Sequence, residues 1–509
     1  MKSFKAFKHI AVLLIFSIAN TSGAVAEDSK YELNGKLLPP KKGQFQITFN
    51  QSADGNIGSR YSYRVNPSTE VDPTRPLPHY SAILPACLTE SDVTCIESVE
   101  SKKIGENSWL KGTLSTDQLD VKKLKIPTYV PSYFEYGTWR ADKLSNLAAG
   151  GVASSWDFPN TPHRDGISYL AIVEFHSSLI NDQSAFNPEL GFSEINGMIQ
   201  PWSWTCEDYG TCDWLGSQIG GSSFVLPEDV EFKITIRTNF LSSRIGTWVV
   251  GRLEKPTVEF NSEKLTISGR PVTYPMGFSM LESQEECLAK ISSVMSKFFP
   301  RAPGTCTSGS SGFSTNSNDE VALALFDALE GSVIQNGELA RWTFSNAKNS
   351  NKLDSCADPN SFSFATSNAM LYSVNPPVWD KQSSTLSYRI ASTHLDKKGN
   401  VNKGSYSLAI SKKKADCLWN FDTAKASATI SITNSEGTQN IAVSSLRTSK
   451  DWIYFDASGF TFSAPEIKVK LINNAAKAAI KSITCTKGNK SKKVSAASPK
   501  CPTGYKLKK

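Results

Sequence analysis

The chain is 509 residues long, 39% hydrophobic and 10% aromatic, and that much apolar surface excludes disorder throughout. Its formal charge of +7 is unevenly placed: three Lys in the first 26 residues and twelve Lys beyond Glu466, with no acid in either stretch, leave −8 on residues 27–467. An acidic body therefore carries a strongly basic tail.

At the amino terminus Lys2, Lys5 and Lys8 precede an apolar run over residues 10–19, and Ala24-Val25-Ala26 stands before Glu27. A positive stretch, a short apolar stretch and an A-x-A motif together make a signal peptide over residues 1–26, with Glu27 expected as the first mature residue. The apolar run is well short of the roughly 20 residues needed to cross a bilayer, so an amino-terminal anchor is the weaker reading. No Cys follows it as a lipobox would require, and no later apolar stretch approaches spanning length. The mature chain is expected to be soluble, without a transmembrane segment, and either secreted or at the cell surface.

The expected fold class is mostly β. Residues 27–275 are rich in alternating patterns separated by Pro, Gly and Asn, with strands expected over 45–49, 169–175, 230–238, 247–253 and 265–268. In the clearest of them Val230, Phe232, Ile234 and Ile236 alternate with Glu231, Lys233, Thr235 and Arg237, which reads as one buried and one wet face. Strands with turn signals and no intervening helices predict a large antiparallel β-sandwich or jelly roll, as one domain or as two divided near Pro131. From Ser279 to Phe299 the period becomes helical, with Ser279 and Glu282 as a capping box and Pro300 as the stop. A Ser/Gly/Thr-rich loop follows, then a second helix over 319–330 ended by Gly331, so residues 276–340 are expected as a short helical bridge. Short alternating strands return over 385–390, 405–410, 426–432, 452–455 and 467–471, and predict an immunoglobulin-like sandwich over 341–472. Residues 473–509 form the Lys-rich tail.

Ten cysteines in an exported chain read as disulfides, because compartments beyond the membrane lack the thiol pools of the cytosol. Their order pairs neighbours: Cys87 with Cys95, Cys206 with Cys212, Cys287 with Cys306, Cys356 with Cys417, and Cys485 with Cys501. The C-x-x-C and His spacings of a zinc site are absent, and no metal or cofactor is expected.

Two stretches resemble known sequences. One contains Trp342-Thr343-Phe344, Ser355-Cys356, Pro376-Pro377, His394-Leu395-Asp396, Ala415-Asp416-Cys417-Leu418-Trp419 and Gly459-Phe460-Thr461-Phe462. The other runs from Ile483-Thr484-Cys485 to Cys501-Pro502 and Gly504-Tyr505-Lys506. Together they cover about a third of the chain and are similar to uncharacterised exported proteins of actinobacteria, the second to their short carboxy-terminal modules. The resemblance implies compartment and architecture and carries over no catalytic residue.

Candidate chemistry is sparse. After signal removal only His79, His163, His176 and His394 remain, and His163-Arg164-Asp165 between Pro162 and Gly166 reads as a polar turn. No nucleophile elbow, H-E-x-x-H or phosphate-loop motif is present. The most unusual local feature is residues 202–214, where Trp202, Trp204, Asp208, Tyr209 and Trp214 surround the Cys206/Cys212 pair. Flat aromatic faces and carboxylates are what a sugar needs, although Trp is also commonly buried. Asp396-Lys397-Lys398-Gly399-Asn400 lacks calcium ligands at its Lys positions and reads as a hairpin turn. In the tail, Lys487, Lys490, Lys492, Lys493 and Lys500 form a cluster able to attract polyanions.

The reading is an exported binding or adhesion protein, directed at glycans and held to envelope polyanions by its tail, with no nucleic-acid partner. Two alternatives stand beside it. One is an extracellular carbohydrate-active enzyme using acids such as Glu174, Glu189, Glu194 and Asp208; the other is a structural envelope component.

Overall fold

The computed structural model describes residues 32–33, 36–49, 62–65, 80–116, 118, 134–140, 148–164, 166–177, 194–202, 204–206, 212–214, 226–237, 248–261, 263–298, 306, 311–315, 320–329, 331–347, 356, 363–434, 437–442, 445–449, 451–462, 466–473, 481–496 and 499–508. The signal peptide expected at residues 1–26 lies outside them.

The chain is mostly β, and its strands form stacked sheets rather than a row of separate modules. The largest sheet has 16 strands. Its main path begins at Ser445–Thr448 and continues through Trp452–Thr461, Lys403–Ser411, Ser363–Ser367, Trp248–Arg252 and Ile334–Asn346. From there it runs through Glu194–Pro201, Ser168–Ser177, Tyr80–Ile83 and Tyr63–Val65 to Phe134–Tyr136. Most neighbours are antiparallel. Trp248–Arg252 with Ser363–Ser367 and Phe45–Phe49 with Ser311–Thr315 are parallel.

A five-stranded sheet covers one face of this layer, and a six-stranded sheet covers the opposite face near its carboxy-terminal end. Alternation along the central strands sorts side chains between the two interfaces. Val249 joins the core shared with Phe232, Ile234 and Ile267, while Trp248 and Val250 join the core with Tyr388, Ile430 and Val469. Ala409 likewise points one way and Leu408 and Ile410 the other. A strand buried on both faces has no wet side, so its sequence is a continuous apolar run. The outer Val230–Arg237 strand has one wet face and keeps the expected period of two.

The expected boundaries at 275/276 and 340/341 fall inside strands Val272–Leu281 and Ile334–Asn346. Ile334–Asn346 pairs first with Val272–Leu281, then with Glu194–Pro201 and Trp248–Arg252. Strands from both halves of the chain therefore share one sheet. Residues 341–472 supply strands to both the large and the six-stranded sheet, and the core between them includes Trp248 and Val250 from the first half.

The first helix is Gln284–Phe298, shorter than expected because Ser279 is buried in strand pairing opposite Ile47. The cap moves to Ser283, whose Oγ accepts from the Glu286 amide (3.1 Å), while the Glu286 carboxylate accepts from the Glu282 amide (2.8 Å). The second helix, Glu320–Ala328, is followed by Gly331 at φ +85°. Both pack against Phe45, Ile47, Phe49 and Leu281. A third helix, Lys412–Trp419, had no expected counterpart; Ser411 caps it and left-handed Asn420 ends it.

Four of the expected disulfides are formed: Cys87–Cys95, Cys287–Cys306, Cys356–Cys417 and Cys485–Cys501. Cys206 and Cys212 face each other across a two-stranded antiparallel ladder. Among the described residues no helix is long and apolar enough to cross a membrane.

Candidate functional site

Within the Trp-rich segment, strands Trp204–Cys206 and Cys212–Trp214 pair so that Trp204 lies opposite Trp214. Asp208 and Tyr209 lie outside the described residues, as do the side chains of both Trp. Trp202 corrects the expectation for its own position. It is only 2% exposed, packs with Leu170, Ile172 and Met198, and donates its indole N–H to Ser155 Oγ at 2.6 Å. A sealed and hydrogen-bonded indole offers no face to a sugar.

The acids and histidines fare similarly. Glu174 sits buried in the middle of the large sheet and accepts a hydrogen bond from Ser81 Oγ. Glu194 begins the neighbouring strand opposite His176, and Glu189 lies outside the described residues. His163 is in the expected turn, bridged to Gly166 and 3.1 Å from the Ser168 carbonyl oxygen. Asp396 accepts from the Lys398 and Asn400 amides, closing the turn expected there.

The tail is more ordered than its composition suggests. Lys481–Lys487, Lys490–Ala496 and Lys506–Leu507 form a three-stranded sheet, tied to the following loop by Cys485–Cys501. Cys485 is fully buried, and Ile483 lies opposite Val494. So small a sheet has little core, and the crosslink supplies what burial does not; closing this loop is worth about 3 kcal/mol in the chain-entropy model. Lys468 and Lys470 belong instead to strand Glu466–Asn473 of the preceding sheet.

Ladder register distributes the tail lysines over both faces. Lys487 pairs with Lys490 and Cys485 with Lys492, which places these three Lys on one face. Thr484 pairs with Lys493 and Thr486 with Lys506, which places those two on the other. All five, and Lys500 beside them, are exposed.

A further site was invisible in the sequence. An open cleft of about 520 Å³ lies where the outer face of the five-stranded sheet meets strand Ser445–Thr448. Trp109 forms one wall, with the Lys102 and Lys233 ammonium groups each 4.7 Å from its ring centroid. Glu231 pairs with Lys102 at 3.0 Å and with Arg270 at 2.9 Å. Lys255 and Arg447 close the other side.

Comparison with protein-family models, curated proteins and solved structures finds no match.

The ionic ladder beside the cleft gives the five-stranded sheet a definite pH response. Burial pushes the Glu231 carboxyl up, but hydrogen bonds from Arg270 and Lys102 outweigh it and hold it below its ordinary value. Burial and the cations Lys264 and Arg237 act in the same opposed way on Glu97, with the same result. Carboxyls held low in the folded state stabilise it at neutral pH, and that contribution is lost as pH falls through their folded values. The urea midpoint is therefore expected to fall on acidification below about pH 4. Replacing both acids by Gln should flatten that fall, and an equally steep fall in the double variant would reject the assignment.

Proposed function

We propose that this is an exported bacterial binding protein, retained at the cell envelope by its lysine-rich carboxy-terminal sheet. The observation that carries the reading is a crosslinked sheet exposing Lys487, Lys490, Lys492, Lys493 and Lys500, in a stretch of twelve Lys without an acid, appended to a body of charge −8. Four disulfides, and the absence among the described residues of a helix long and apolar enough to cross a membrane, are compatible with an extracellular location. The sequence's export signal and its resemblance to exported actinobacterial proteins support the same compartment.

Lysines on both faces of a thin sheet suit a polymer that wraps or a surface that approaches from several directions. Each exposed ammonium contributes little, and the attraction is summed over many contacts screened within about 10 Å at 0.1 M salt. Anionic envelope polymers are the partners of that chemistry available outside a bacterium.

The test compares the parent with a variant carrying Gln at Lys487, Lys490, Lys492, Lys493 and Lys500. The parent is expected to sediment with isolated envelopes at about 0.05 M salt and to be released by about 0.5 M, where the screening length falls severalfold. The variant should remain mostly in the supernatant at both. Equal sedimentation of the two proteins, or binding indifferent to salt, rejects the reading.

A further inference from the structure

We propose that the cleft beside Trp109 binds a sugar bearing an anionic substituent, as a unit of an acidic extracellular polysaccharide. The inference does not rest on the tail, from which the cleft is separate in sequence and in sheet.

Lys102, Lys255, Arg270 and Arg447 line the cleft against the single carboxylate of Glu231. Asp456, nearly buried, lies behind Arg447 at 3.4 Å and also accepts from Ser407 Oγ and Ser445 Oγ. Counting both acids, the cleft is left with an excess of two positive charges, within a body whose net charge is −8. Among the described residues Lys255 makes no ion pair. Arg270 donates to Glu231 through Nε, one of the five donors of its planar fork. A forked donor beside an unpaired ammonium is suited to a carboxylate or sulfate.

Lys255 adopts φ +50°, in the left-handed region that favours glycine, where its strand is irregularly paired between Glu254 and Thr257. Its amide donates to Ser407 Oγ at 3.1 Å, which ties this irregularity to the neighbouring large sheet. The left-handed conformation is a local cost for a lysine, and the side chain itself remains exposed. Lys255 nevertheless lines the cleft. Irregular strand positions of this kind recur where a side chain is aimed at a ligand.

The remaining walls are those a sugar requires. Thr257 and Ser268, whose hydroxyls bond each other, line it with Ser445, whose hydroxyl donates to Asp456, and with Glu231. Trp109 contributes an apolar wall that two ammonium groups already hold in place. At about 520 Å³ the space falls within the range of about 300–1,000 Å³ usual for small-molecule sites, and is too confined for the broad basic stripe that a duplex or a bilayer engages.

Titration calorimetry of the full chain tests this with three short oligosaccharides of equal length: a uronate, a sulfated sugar and a neutral one. At least one anionic oligosaccharide should bind and the neutral one should not, and the tighter anion identifies carboxylate or sulfate as the recognised group. Lys255→Gly with Arg447→Gln should weaken binding by about tenfold or more, the usual effect of losing charge-assisted hydrogen bonds. Lys255→Gly alone relieves the left-handed strain, so it should weaken binding while the melting temperature is maintained or raised. The five-lysine tail variant should bind within about twofold of the parent, because no tail lysine lines the cleft. No binding by either anionic sugar, equal binding of the neutral one, undiminished binding by the cleft variants, or loss in the tail variant would each overturn the proposal.

Discussion

Replacing Arg252 by Met is expected to destabilise the protein by about 3–5 kcal/mol, because three buried carbonyl acceptors lose their donors at once. Arg252 is fully buried and ends the strand Trp248–Arg252, which runs parallel to Ser363–Ser367. Its Nη1 donates to the carbonyl oxygens of Ser367 (3.0 Å) and Ala369, and its Nη2 to that of Met370 (2.9 Å). These carbonyls lie where the chain leaves strand Ser363–Ser367, so the guanidinium supplies donors that the ladder no longer provides there. The ring centroids of Tyr274 and Tyr372 lie 3.9 and 4.6 Å from the guanidinium carbon, a placement that favours the cation.

Met fills much of the same volume without donors, and stranding a buried acceptor costs about 1–3 kcal/mol each. Removal of the buried charge offsets part of that loss. Arg252→Lys should also fail to restore parental stability, because a compact ammonium cannot reach three carbonyls as a planar fork does. Urea unfolding measures both variants. A loss below about 1 kcal/mol in Arg252→Met would show that this guanidinium does not organise the strand end.

The second large effect is expected at Cys356–Cys417, whose residues are 61 apart in sequence. Crosslinking restricts the unfolded chain, and a loop of this length is worth about 4 kcal/mol in the chain-entropy model. The loop encloses strands Ser363–Ser367, Thr385–Ala391 and Lys403–Ser411, which supply much of the carboxy-terminal core. Cys417 belongs to helix Lys412–Trp419, anchored in turn by the contact of Trp419 with Trp379 at 4.9 Å between ring centroids.

Paired Cys→Ala variants should therefore lose stability in the order of their sequence separations: 61 for Cys356–Cys417, 19 for Cys287–Cys306, 16 for Cys485–Cys501 and 8 for Cys87–Cys95. Calorimetric unfolding of the four double variants gives the ranking. A smaller effect at Cys356–Cys417 than at Cys87–Cys95 would mean that native-state geometry, not loop length, governs these crosslinks.

The sequence alone determined those features whose causes are local. Alternating Val230, Phe232, Ile234 and Ile236 identified a strand with one wet face, and Gly331 marked the end of a helix, because both signals act within a few residues. Cysteine order identified four crosslinks because strands near in sequence fold back on one another and bring successive cysteines together. Tertiary structure decided the rest. Residues 248–252 read as a strand, but their parallel partner 363–367 lies more than a hundred residues away, and nothing in either segment names the other. That pairing, with the long strand Ile334–Asn346, puts strands from both halves of the chain in one sheet.

The sites followed the same rule. Trp202 was conspicuous among aromatics and acids, yet an indole is recognised as a binding face or as core only when the layer above it is known, and Leu170, Ile172 and Met198 enclose it. Trp109 was inconspicuous because the groups that give it meaning come from Lys102, Lys233, Arg270 and Arg447, on four strands spread over 346 positions of the chain. Charge acts through space and burial depends on neighbouring layers, so both remain hidden until strand pairing brings distant residues together.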